Sequence, residues 1–354
     1  MILRSLAQQN FRNLEEAEVA FHPKVNLLVG RNGQGKTNLI EAIYFLATTK
    51  SFRTTRVASL FRHGAANVFV SGVVQRGVEK TISVGLEHGE TKKRVLLING
   101  ERTPLASYVS ALTVFAYSSA RLEILRGSPE ERRRFLDRGI ASVDPGYLEQ
   151  AGRYARVLRQ RNALLQTGTT AGLEAWDAEM VDLARLLQRA RAAYARALGE
   201  TFEAIVAEHR YRVSNLRMSY RPSSVEDPKT IRAAELRARV SLFGPQRDLL
   251  EFTVDGRPAA EVLSGGELKM IVLFLKFAKL ELFKRRFEEA ALFLLDDVDA
   301  ELDLEILESL LSKMPPETQV FATSAKARFL SVLEAEPHRR LTIENGRVIS
   351  AEDL

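Results

Sequence analysis

The sequence predicts an α/β core joined to an antiparallel β subdomain and interrupted by a helical lobe containing an antiparallel helical hairpin. Three observations predict it. Short apolar runs, Val25–Gly30 and Ala291–Asp297, end in a glycine and in paired acids, as strands of an α/β sheet do. Runs rich in β-branched residues, broken by Gly77, Gly89 and Asn99-Gly100, fill 67–100. From about 129 to 208 the chain becomes rich in Arg, Ala and Leu with a helical period.

Met1–Phe21 alternates apolar with polar residues, and Val25–Gly30 reads as a strand meeting a turn, with a helix from Thr37 to about Ala47. The segment 67–100 reads as a meander of antiparallel strands. Leu173, Trp176, Met180, Leu183, Leu187, Ala190, Tyr194 and Ala197 step by three and four, a heptad seam, and Tyr147–Leu165 carries a shorter stripe. Thr167–Gly172 breaks the helix between them, so the two stretches predict a hairpin roughly 30 Å long, from about twenty residues at ~1.5 Å each. Strand and helix alternate again after about Val240. The expected division is a discontinuous first lobe, 1–120 with 241–354, and a helical lobe, 121–240.

The 354 residues are 45% hydrophobic, enough to bury a substantial core in one large domain or two lobes. The sequence has no cysteine, which excludes disulfides, thiolate zinc sites and a cysteine nucleophile and suits a reducing compartment. Charges at Arg4, Arg12, Glu15, Glu16 and Glu18 leave no signal-peptide core, and no eighteen apolar residues run together. A cytoplasmic protein with no membrane partner is expected. The net charge of +6 leans toward a polyanionic partner.

Gly30-Arg31-Asn32-Gly33-Gln34-Gly35-Lys36-Thr37 fits the phosphate-loop pattern between a strand and a helix. Its glycines let backbone amides close on a β-phosphate, and the helix N-terminus adds its dipole. Lys36 is expected to reach the β and γ oxygens of ATP, and the Thr37 hydroxyl to ligate Mg²⁺. Ala291–Asp297 then supplies a second acidic element. An apolar strand ending in Asp296 and Asp297 needs a partner for that charge, since burying an unpaired ion costs several kcal/mol. A metal beside the nucleotide provides one: Asp296 is expected to hold Mg²⁺ and Asp297 to orient or deprotonate the attacking water. Lys36, Asp296 and Asp297 are the catalytic candidates.

Leu263-Ser264-Gly265-Gly266-Glu267 precedes an apolar helix, Leu268–Phe283. Ser264 with Glu267 fits a helix-capping box, and the two glycines at a helix N-terminus also suit an anion such as a γ-phosphate.

Leu263–Glu267 resembles the signature motif of ATP-binding-cassette ATPases, upstream of the acidic strand as in that superfamily. The resemblance implies a P-loop ATPase fold and makes Glu301-Leu-Asp303 the D-loop and Thr323 the switch position. Asn10-Phe-Arg-Asn13 is similar to the opening segment of the structural-maintenance-of-chromosomes, Rad50 and RecF families, and the resemblance places Arg12 among the ATP-binding residues. Ser128-Pro-x-x-Arg132-Arg-x-Phe-Leu-Asp137, Gly244-Pro-Gln-Arg-Asp248 and Leu295-Asp-Asp-Val resemble the RecF family in particular, over nearly the whole chain. That resemblance implies a cytoplasmic DNA-binding ATPase that forms a homodimer on ATP and works with RecO- and RecR-type mediators in loading recombinase at gaps. Three departures stand out. Ser118-Ser119 replaces the usual Pro-Glu, Gln246 replaces a histidine, and the signature lacks the family's more common arginine and glutamine form.

Arg121, Arg126, Arg132, Arg133, Arg134, Arg138, Arg153, Arg156, Arg159 and Arg161 cluster on the helical segment. Such a stripe suits phosphate contact without sequence readout, with Arg153, Arg156 and Arg159 the DNA-binding candidates, and it equally suits a solvated helix face. Three functional readings follow: a DNA-binding repair ATPase with slow turnover, an ATP-gated clamp or scaffold in which hydrolysis is incidental, or the ATPase subunit of a transporter, which would make Asn10–Asn13 a coincidence.

Overall fold

The computed structural model describes residues 1–87, 94–118, 122–209, 211, 213, 215–224, 227–297, 304–323 and 332–354, and of 123 and 304 the backbone alone. Three strands, β1 (Ile2–Gln9), β2 (Ala17–Ala20) and β3 (Val25–Val29), precede the helix Lys36–Thr48. Next come β4 (Asn67–Arg76), β5 (Val78–Glu87), β6 (Arg94–Ile98), β7 (Glu101–Arg102) and β8 (Val114–Ser118). A helical stretch follows, then β9 (Leu216–Arg221), β10 (Leu249–Val254) and β11 (Arg257–Pro258). The chain closes with the helix Gly265–Phe287, β12 (Leu292–Asp296), β13 (Val320–Thr323), β14 (His338–Glu344) and β15 (Arg347–Asp353).

These elements form two units: Met1–Leu122 with Ser264–Leu354, and Glu123–Leu263. The second unit runs beyond the expected boundary at 240 because β10 pairs antiparallel with β9, Leu250 opposite Tyr220. Pairing across that distance leaves no local mark in the sequence.

The first unit holds two sheets. One, in the order β2-β1-β4-β5-β6-β7, is antiparallel throughout. The N-terminal alternation thus splits into two strands that extend the meander. The other sheet runs β15-β14-β3-β13-β12-β8, with β14, β3, β13, β12 and β8 parallel and β15 folded back on β14. The runs Val25–Val29, Leu292–Asp296 and Val320–Thr323 are buried almost without a break, as befits parallel strands covered on both faces. Because these strands are parallel, the carboxyl ends of β3, β13, β12 and β8 share one edge, where α/β sheets bind ligands.

The helix Gly265–Phe287 begins three residues before the expected Leu268, with Ser264 as N-cap and the full capping box with Glu267. Its apolar residues are buried around much of its circumference, among them Leu268, Ile271, Leu275, Phe277 and Phe283.

In the second unit, helices cover Pro129–Val143, Tyr147–Thr167 and Leu173–Glu208, the latter two forming the antiparallel hairpin. Leu173, Met180, Leu183, Leu187 and Tyr194 of the expected seam are buried, whereas Trp176, Ala190 and Ala197 are half-buried. Asp177, Gln188 and Arg191 are buried beside them. The stripe is wider than a coiled-coil seam because the long helix packs on both other helices and on β9. The buried charges are paired. Arg161 donates to Asp177 at 2.8 Å and to Glu235 at 2.6 and 2.9 Å. Arg191 donates to Asp137 at 2.9 and 3.0 Å and to Asp248 at 2.7 Å. No helix among the described residues is long and apolar enough to cross a membrane.

Candidate functional site

At the carboxyl end of β3 the chain turns through Gly30, Gly33 and Gly35, with φ of 142°, 80° and 112°. Only glycine enters such conformations without strain. The loop is also tightly backed: a Cβ at Gly30 would strike the carbonyl of Ile343, and one at Gly35 would come within 3.1 Å of the Gly346 Cα. The turn between β14 and β15 braces the loop further, since the Gly346 amide donates to the Gln34 carbonyl at 2.7 Å and the Asn345 amide to Gln34 Oε1 at 2.7 Å. Arg31, Asn32 and Gly33 are exposed at its tip.

Lys36 is buried, and its ammonium donates to the loop carbonyls of Gly30 at 2.6 Å and Arg31 at 3.0 Å. The Lys36 ammonium therefore rests on neutral acceptors within the loop, and a phosphate oxygen is a stronger partner for it. Thr37, the next residue, donates its hydroxyl to Asp296 Oδ1 at 2.8 Å, joining the loop to the end of β12. Thr323, ending β13, donates to the same oxygen at 3.0 Å and accepts the Asp297 amide at 2.8 Å. Ser118, ending β8, lies 3.4 Å from Asp296 Oδ2.

Asp296 is almost wholly buried, 3% exposed. Burial pushes its carboxyl above the usual carboxylate range, the Thr37 and Thr323 hydroxyls pull it back, and the neighbouring Asp297 charge raises it again. A divalent cation beside it would reverse that burden. Asp296 and Thr37 are hard oxygen donors next to a phosphate cradle, the donor set that Mg²⁺ prefers. Among the described residues no three His, Asp or Glu side chains converge to hold a metal by themselves. A Mg²⁺ here would draw its remaining ligands from water and phosphate. Asp297 is exposed, with a left-handed φ of 54°.

Arg12 lies beside the loop's helix. Its guanidinium grips Glu41 with two bonds of 2.9 Å, and Glu41 is completely buried. Arg53 reaches the same carboxylate at 3.5 Å and Asn38 at 2.7 Å, and its charge also acts on Asp296. Neither Glu41 nor Arg53 belongs to any of the motifs legible in the sequence. An acid inside the apolar run Asn38–Ala47 was the available signal for Glu41; nothing local marks Arg53.

Ser264 is exposed, and its side chain and amide bond Glu267 of its own cap at 2.7 and 2.8 Å. Gly265 and Gly266 form the first turn of that helix. Glu301, Asp303 and Ser119 lie outside the described residues, as does Arg121.

The arginine cluster divides. Arg153, Arg156 and Arg159 are exposed on the hairpin, Arg153 pairing with Glu179 at 3.1 Å. Arg161 is fully buried in its ion-pair network, and Arg133 donates to the Asp248 carbonyl at 3.0 Å. Asp248, in Gly244–Asp248, is buried and accepts from Arg191, Gln188, Tyr220 and the Ser223 amide. This motif organises its own unit.

Comparison with known proteins agrees with this geometry. Residues 2–348 match the model of the RecF/RecN/SMC N-terminal domain. The DNA replication and repair protein RecF of Geobacter sp. (strain M21) is 36% identical over 99% of this chain and 100% of its own length. The solved structure of the recombination mediator protein RecF with ATP, of the RecFOR pathway, is similar with a TM-score of 0.85 and 25% identity, covering 100% of this chain and 97% of that one. An SMC head bound to the C-terminal winged-helix domain of ScpA shares the fold at TM-score 0.57 and 16% identity, covering 100% of this chain and 98% of its own. The phosphate loop, the acidic strand end and the match over the whole chain agree: this chain belongs to the RecF/RecN/SMC N-terminal domain family of ABC-type ATPases, on its RecF branch.

Proposed function

We propose that this chain is an ATP-dependent DNA-binding protein of recombinational repair, which pairs into a two-fold homodimer on ATP and hydrolyses it slowly. The observation that supports the reading most is the hydrogen-bonded convergence of Thr37, Asp296 and Thr323 beside Lys36, at the carboxyl edge of a parallel sheet. The relatives' names, DNA replication and repair protein and recombination mediator, support the cellular role. RecO- and RecR-type mediators and a recombinase are the partners this reading implies.

In this mechanism Gly30–Thr37 encloses the phosphates of ATP, with Lys36 turning from its two carbonyls to the β and γ oxygens. Thr37 and Asp296 would hold Mg²⁺, which when bound would supply neutralising charge to the triphosphate. Asp297 orients a water and takes its proton as the water oxygen bonds to the γ-phosphorus. The bond from that phosphorus to the β–γ bridging oxygen breaks, and its electron pair leaves on ADP. Asp297 is one methylene shorter than the glutamate of faster cassettes, which supports slow turnover. Ser264, Gly265 and Gly266 would cap the γ-phosphate held by the second copy. Arg12, fixed on Glu41, would stand at the side of the nucleotide.

Titration of gapped, duplex and single-stranded DNA with and without ATP tests the reading. Tighter binding with ATP is expected. DNA affinity indifferent to ATP would contradict it.

A further inference from the structure

A single hydroxyl has one proton to give and lone pairs to receive with. Thr323 uses both, toward the two acids of the site: its Oγ1 donates to Asp296 Oδ1 at 3.0 Å and accepts the Asp297 amide at 2.8 Å. The side chain is 2% exposed, so water does not compete for these bonds. The amide it accepts belongs to a residue at φ 54°, in the left-handed region that a non-glycine residue enters at a cost. Had β12 continued, Asp296 and Asp297 would have pointed to opposite faces of the sheet. The left-handed turn ends that alternation just where the second acid begins, and the bond to Thr323 holds the turn.

We propose that Thr323 is a positioning residue: its hydroxyl ties the Asp296 carboxylate to the Asp297 amide, so that the end of β13 sets the aim of Asp297 at the attacking water. This rests on the reading of Asp296 and Asp297 as the hydrolytic acids. It differs from a switch residue that touches the γ-phosphate, because both capacities of the Thr323 hydroxyl are engaged by protein groups. Thr37 makes the other short bond to Asp296 Oδ1, from the loop side. Asp296 is therefore held from β13 and from the phosphate loop together, and the Asp297 amide is tied to the same Thr323 hydroxyl.

The test uses the full-length chain and measures affinity for a fluorescent ATP analogue alongside single-turnover ATP hydrolysis. Thr323→Val removes donor and acceptor while keeping shape; Thr323→Ser keeps the hydroxyl. For Thr323→Val the expected result is nucleotide affinity within about threefold of wild type and a hydrolysis rate lower by roughly 10- to 100-fold, the scale of a misplaced group. Thr323→Ser should restore most of the rate. In an Asp297→Asn background Thr323→Val should cost little more, because the effect passes through Asp297. Should Thr323→Val not fold, Thr323→Ala takes its place in each comparison.

Three results would overturn the proposal. The first is wild-type hydrolysis by Thr323→Val. The second is a loss of nucleotide affinity as large as the loss of rate, which would make Thr323 a direct ligand. The third is a full additional loss in the Asp297→Asn background. A wild-type chain that binds the analogue no better than Lys36→Ala would instead remove the nucleotide-site reading itself.

Discussion

Thr37 Oγ1 lies 2.8 Å from Asp296 Oδ1, so the second residue of the helix Lys36–Thr48 is hydrogen-bonded to the last residue of β12. Two motifs separated by more than two hundred residues of sequence thus form one site. The bond sets what each neighbouring side chain is expected to do.

Lys36→Ala should abolish ATP binding or weaken it severely, because the Lys36 ammonium within the loop is lost. Lys36→Arg should bind better than the alanine variant yet remain impaired, since a planar fork does not replace a point charge. Calorimetric titration with ATP checks both. Unchanged affinity in Lys36→Ala would refute the loop assignment.

Asp297→Asn should keep ATP binding and slow hydrolysis by roughly 10² or more, the scale of general-base contributions. The ATP-bound form should then accumulate. Hydrolysis at the wild-type rate would show that another group orients the water.

Asp296→Asn should have opposite effects on stability and function. Burial raises the Asp296 pKa in the folded chain, so the folded state favours the protonated form and keeping the carboxylate ionised opposes folding. The penalty grows as pH rises from the unfolded pKa and is complete above the raised folded value. Nucleotide-free Asp296→Asn should therefore melt at a higher temperature than wild type at pH 7, and that advantage should vanish below the unfolded carboxylate pKa. Magnesium-dependent ATP binding should fall at the same time. A lower melting temperature at pH 7 would contradict the account.

Arg161→Leu should destabilise the second unit by about 3–5 kcal/mol, since it strands the buried Glu235 without its cation and leaves Asp177 to Arg232 alone. Adding Glu235→Gln should recover part of the loss, because Asp177 still has Arg232. Denaturant unfolding provides the comparison, and an unchanged midpoint in the single variant would refute the structural role.

DNA binding should be nearly independent of sequence and steeply dependent on salt. With about 4–6 phosphates neutralised, log K should fall against log salt with a slope of roughly −4 to −5 on duplex DNA. Arg153, Arg156 and Arg159 are exposed on the hairpin, and reversing all three to Glu should weaken binding and flatten the slope. Wild-type affinity and slope would clear the hairpin of DNA contact.

What the sequence made legible is what is encoded locally. The strand, loop and helix around Gly30–Thr37 follow one another without a gap, and Leu292–Asp296 announces itself as an apolar run ending in acids. The Ser264 cap is read from a spacing of three. Pairings between distant residues stayed hidden. Asp177, Gln188 and Arg191 look like outward positions of a heptad, yet each is buried because Arg161, Asp248 and Asp137 meet them from other elements. The same holds for Arg12: its sequence context points to the nucleotide, while its guanidinium is held by a buried Glu41 that only the fold brings to it. The role of Thr323 depends on β13 lying beside β12, a pairing that no local pattern records.

The most direct test concerns assembly. The chain carries one phosphate loop, one acidic strand end and one signature serine. On the proposed reading, the signature of each copy closes on the nucleotide of the other, and a two-fold pair completes both sites at once. Shifting a monomer–dimer balance from about 1:99 to 99:1 needs ~5.5 kcal/mol of differential binding. Two γ-phosphates accepting charge-assisted bonds of about 1.5–3 kcal/mol each are of that order. Sedimentation of wild type and Ser264→Arg, each with ATP and with ADP, measures this. The account predicts a wild-type dimer with ATP alone and a Ser264→Arg monomer that still binds one ATP per chain. A stable Ser264→Arg dimer with ATP, or a wild-type dimer that persists without nucleotide, would contradict it.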